Sequence, residues 1–134
     1  MQEKHLFEYA VIRVVPRVER EEFLNVGVIL YCSSQRFLKC MFELNEPRLY
    51  AFSKELNMAE LKERFDAFCS ICAGADQGGP IGKLPLASRF RWLTATRSTV
   101  LQTSPVHPGL CVDAAETLEK LHRQLVKTPP SEES

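Results

Sequence analysis

Two apolar runs sit close together near the start of the chain, FEYAVIRVV (Phe7–Val15) and FLNVGVILY (Phe23–Tyr31), and a charged bridge, PRVEREE, joins them. Runs this rich in β-branched and aromatic residues favour buried strands. Pro16 ends the first, because proline cannot donate to a sheet ladder. Seven residues is a short connection, so the two strands are expected to pair antiparallel, with Arg17–Glu22 crowded at one sheet end. Gly27 inside the second run predicts a bulge or a close backbone approach.

The polar loop Cys32–Gln35 predicts a hairpin into a third strand, Phe37–Leu44. There Leu38, Cys40, Phe42 and Leu44 form one face, and Lys39 and Glu43 lie on the other. Three strands in this order make an antiparallel meander. A helix is expected from Asn57, a capping residue with Glu60 three positions on. Leu61, Phe65, Phe68 and Cys72 stripe it, and Gly74 stops it. Ala75–Pro85 is rich in glycine and proline and reads as a loop. Pro85 opens a short helix with Leu86, Phe90 and Leu93 on one side. Ser98–Gln102 is a candidate fourth strand, and Ser104–Gly109 an extended or turn segment. Asp113 and Glu116 cap a last helix striped by Leu118, Leu121 and Leu125 and ending near Lys127. The predicted class is α+β: a small, mainly antiparallel sheet with about three helices on one face. Residues 1–127 form one domain, because the part beyond the glycine-rich loop is too small to fold alone, and 128–134 form a disordered tail.

Lys+Arg and Asp+Glu both number 17 in the 134 residues. Wrapping nucleic acid calls for a basic excess, so only a local patch, Arg89, Arg91 and Arg97, offers that chemistry. The charged start MQEKHLFEYAVIRVV lacks the form of a signal peptide, and no apolar stretch has the length to cross a membrane. Five cysteines cannot all pair internally, and without an export signal they read as reduced thiols in a cytoplasmic protein.

The charged hairpin end has two readings. In the first it is a salt-bridged turn, with Arg13 meeting Glu22 across the ladder. In the second, Arg13 and Arg20 bind an anion or a peptide, with Glu22 orienting them. Asn25 adds a polar amide inside an apolar strand, which must be satisfied or it is destabilising. Cys69-Ser70-Ile71-Cys72 lacks the second ligand pair a zinc site needs. It also falls at a helix C-terminus, where the dipole disfavours a thiolate, so the two read as core thiols. His107, between prolines, is a turn histidine on the surface, and no nucleophile elbow accompanies it. His122 borders the last helical stripe as a boundary residue. GGPIGK has the wrong spacing for a phosphate loop. No metal site and no cofactor are expected. Arg91, Trp92 and Arg97 offer a cationic and aromatic surface suited to a protein partner.

Tyr9, Arg13, Pro16, Arg20, Glu22, Asn25, Gly27 and Val28, followed by FRWLTATRSTVLQTSPVHPG at Phe90–Gly109, resemble the two sequence blocks of the bacterial Domain of Unknown Function 3037 family. The resemblance runs from about Tyr9 to Val126. It implies no reaction. It does imply a partner, because members are encoded beside a HipA-like kinase. The expected role is a protein-interaction or regulatory subunit binding through Arg13, Arg20, Glu22, Asn25, Arg91, Trp92, Arg97 and His107. The alternatives are a hydrolase or nuclease in which Glu22, Arg20 and His107 converge, and a nucleic-acid module using Arg89, Arg91 and Arg97.

Overall fold

The computed structural model describes residues 3–97 and 99–127, apart from the side chain of Val18. The predicted tail at 128–134 and the first residue of the predicted fourth strand, Ser98, lie outside the described residues. Among the described residues the fold is mixed α+β, with an open antiparallel sheet of five strands and five helices.

Strand β1 (His5–Val14) is the centre of the sheet. One edge of it pairs with β2 (Leu24–Cys32), which pairs in turn with β3 (Phe37–Phe42). This is the meander the sequence predicts. The register of β1 on β2 slips between Ile12 and Arg13: Ile12 faces Gly27, Arg13 faces Asn25, and Val26 is the extra residue of a bulge. Gly27 beside it meets β3 so closely that a Cβ would lie 2.6 Å from the Met41 carbonyl oxygen. Both features expected of Gly27 are therefore present.

The other edge of β1 carries two short strands end to end. β4 (Leu101–Thr103) pairs with Ile12–Val14, and β5 (His107–Cys111) pairs with His5–Tyr9. Buried Ser104 bridges the gap between them. Its N–H donates to the Val11 carbonyl (2.8 Å), and its hydroxyl accepts from the Val11 N–H (2.9 Å). β5 begins within the segment expected to be extended or a turn, Ser104–Gly109, and takes the extended form. Its Pro108 is tolerated because β5 pairs with β1 alone and leaves its outer side without a ladder.

Helix α1 (Glu46–Phe52), absent from the sequence reading, starts at Asn45, whose side chain accepts from the Arg48 N–H. Helix α2 (Met58–Ala73) is capped by Asn57 and stopped by Gly74 in the left-handed conformation (φ 71°), as its sequence signals require. The glycine-rich segment after it coils into short helical turns, including α3 (Gly79–Gly82). Helix α4 (Leu86–Leu93) follows Pro85. Helix α5 (Ala114–Leu125) begins at Asp113, whose carboxylate accepts from the N–H groups of Ala115 and Glu116.

The helices cover both faces of the sheet, not one. Ala10, Ile12, Val14, Ile29 and Leu38 point to the side where α1, α2 and α4 bury Leu49, Leu61, Phe65 and Phe90. Phe7, Val28, Leu30 and Cys32 point to the opposite side, against Ala114 and Leu118 of α5. The alternation of strand side chains requires this arrangement, because β1 and β2 are apolar at consecutive positions. Each fully buried Leu or Phe contributes roughly 1.5–3 kcal/mol, so α5 is a structural cover and not an appendage.

Candidate functional site

At the β1–β2 connection the chain leaves Pro16, makes a single 3-10 turn over Val18–Arg20, and returns through Glu21 at φ 54°. The turn pushes its charged side chains outward, where they pair locally. Arg20 Nε donates to Glu22 at 2.7 Å, and Arg17 Nη2 donates to Glu55 Oε2 at 2.7 Å, before helix α2. These pairs raise the Arg20 and Arg17 pKa values, and Arg20 holds the Glu22 carboxyl below its usual range. An open cleft of about 500 Å³ lies among Pro16, Arg17, Arg20, Glu22, Phe52 and Lys54.

The expected Arg13–Glu22 pair is absent. Glu22 is committed to Arg20, and the Arg13 guanidinium lies 3.9 Å above the Phe23 ring. The bulge at Val26 sets Arg13 opposite Asn25 and leaves Glu22 beyond the last paired residues, Val14 and Leu24. Arg13 has cross-strand neighbours with neutral amides, Asn25 on one side and Gln102 on the other. Burial lowers its pKa, and its Nε has no partner. Asn25 anchors α5 by donating to the Leu125 carbonyl at 3.2 Å, while its buried Oδ1 has no partner among the described residues.

His107 pairs in register with Tyr9, their rings 5.4 Å apart, on an exposed strand and not a turn. Tyr9 and Val14 are five residues apart on β1, about 17 Å at the rise of a strand. His107 therefore lies beside the middle of β1, away from the end that leads to Arg20 and Glu22, and the three do not converge. The cations of the proposed nucleic-acid patch also part company. Arg91 is bound bidentately by Glu8 at 2.7 and 3.1 Å, which raises its pKa. Arg89 donates to the Gly82 carbonyl at 3.3 Å. Arg97 bends back over Trp92, its guanidinium 4.8 Å from the ring, and donates to the Trp92 carbonyl.

Trp92 is 44% exposed and borders a groove of about 240 Å³ between α2, α4 and β4. Phe68, Ile71 and Leu101 give the groove an apolar floor, and Arg64 and Arg97 line it as well. Of the predicted surface, this groove gathers Trp92 and Arg97 and leaves Arg91 to its salt bridge. Sequence reasoning missed Arg64, Phe68 and Ile71 as their neighbours, because only the packing of α2 on α4 brings them there.

The thiols differ from the sequence reading in one respect. Cys72 is buried and Cys69 half-buried, but Cys40 of β3 joins them with its sulfur 3.9 Å from that of Cys69. Among the described residues, no three His, Cys, Asp or Glu side chains are disposed to hold a metal ion. His122, expected at a boundary, is 2% exposed, and neither ring nitrogen has a partner.

Among the described residues, no helix is long and apolar enough to cross a membrane. A model of a family described as protein of unknown function (DUF3037) matches residues 9–126. No curated protein and no solved structure matches the chain.

Proposed function

The chain belongs to the DUF3037 family of proteins of unknown function, and we propose that it is a protein-interaction or regulatory subunit whose docking element is the groove around Trp92. The observation that supports this reading is a half-exposed tryptophan stacked by Arg97 over an apolar floor. Tryptophan and arginine dominate the binding energy of protein interfaces, because they combine large contact area with hydrogen bonding. Arg64 and Arg97 suit a partner segment that carries an apolar anchor beside acidic side chains. The HipA-like kinase implied by the sequence resemblance is the first partner to seek.

The test is recovery of the tagged protein from its host, with the co-purifying proteins identified by mass. The expected result is one stoichiometric partner, retained with wild type and lost with Trp92→Ala at unchanged circular dichroism. A partner held equally well by Trp92→Ala, or recovery of the protein alone, overturns the proposal.

A further inference from the structure

A second cleft, of about 500 Å³, opens between the outer edge of β3 and the helices α2 and α4. Its floor is apolar: Leu38, Leu86, Ala73 and the thiols of Cys40, Cys69 and Cys72. Arg36 and Arg89 line it, Lys39 borders it from the other face of β3 with its ammonium 5.7 Å from the Phe37 ring, and no carboxylate lines it. The chain as a whole has as many acidic as basic residues, so a lining of one sign is a local choice. Ion pairs occupy Arg17, Arg20 and Arg91 elsewhere. Neither Arg36 nor Lys39 has an acidic partner within ion-pair distance among the described residues, and the Nε of Arg89 is buried without an acceptor.

The floor supplies no counter-charge either. The hydrogen bond with Cys69 pulls the Cys40 thiol down, but Cys72 and burial outweigh it and push it up to about 12, and the hydrogen bond with Cys40, burial and Asp66 raise that of Cys69. These sulfurs are neutral near pH 7 and act as small apolar groups. The cleft thus combines a volume within the range of small-molecule sites, an apolar base and an uncompensated cationic rim.

We propose that this cleft is a binding site for a small amphipathic carboxylate, with its apolar body on the thiol floor and its head group at Arg36 and Arg89. The site is separate from the Trp92 groove. Arg89 is the fixed element, tied to the Gly82 carbonyl, and Arg36 is the exposed one.

The test uses decanoate below its micelle concentration, titrated into the ¹⁵N-labelled native chain. The expected result is saturable shifts confined to the amides of residues 36–40, 69–73 and 86–89. Decanol and decyltrimethylammonium should bind about tenfold more weakly or not at all. The variant Arg36→Asn should weaken decanoate by about tenfold or more. Asparagine tolerates the left-handed backbone of residue 36 (φ 50°), so this variant keeps the turn. Absence of shifts, shifts centred on the Trp92 groove, equal binding of decanol, or an unaltered affinity in Arg36→Asn overturns the proposal.

Discussion

Arg13 shows how one extra residue redirects a side chain. Without the bulge at Val26, the register would set Arg13 opposite Val26, one position farther from Glu22; with it, Arg13 faces Asn25 and rests on Phe23. Arg13→Ala therefore removes a cation–π contact, about 0.5–1 kcal/mol for a partly exposed pair, and Glu22→Ala releases only Arg20. In a double-mutant cycle by urea denaturation the two losses should be additive, because the residues share no partner. Coupling clearly different from zero would restore the direct pair. The sequence shows that Arg13 and Glu22 lie near the same sheet end. It does not show the bulge to one residue, and one residue decides which side chains meet.

At the scale of elements, α2 and α5 were legible because each carries a capping side chain and a long apolar stripe. α1 was not, since seven residues burying only Leu49 leave no periodicity to read, although Asn45 and Pro47 mark its start. β5 was hidden by Pro108, which argues against a strand unless the strand lies at an edge. The thiol cleft was invisible for a related reason: Cys40 and Cys69 are 29 residues apart and meet only through packing of β3 on α2. α5 also carries the buried ring of His122, whose pKa is lowered chiefly by burial and further by Lys127, against an opposing pull from Glu43. The unfolded chain, with the ring at its ordinary 6.5, takes up this proton more readily than the folded one. The ring's contribution is then fully present above that value and is lost as pH falls below it. His122→Leu should raise stability by about 1–3 kcal/mol, the cost of buried polar atoms without partners. It should also shrink the drop in urea midpoint between pH 7.5 and 5.5. An equal drop in both proteins would mean that other groups carry the acid sensitivity.

For the whole molecule, the run Phe7–Val15 already demanded cover on both faces, a demand that three helices on one face do not meet. α5 resolves it, and so gives β1, like β2, helices on two sides and paired strands at both edges. β3 is its opposite, paired with β2 alone and bordering the cationic cleft. Opening free energies across a fold follow such differences in enclosure. Native-state hydrogen exchange should therefore find its slowest amides at Tyr9–Val14 of β1 and Val28–Leu30 of β2, approaching the global unfolding free energy. The outward amides of β3, which have no ladder partner, should exchange by local opening and lose protection first in dilute denaturant. If β3 is protected as strongly as β1, its outer edge must be covered in solution. Repeating the measurement at tenfold dilution then separates a second copy of the chain, whose protection fades, from a cover within the same chain, whose protection does not.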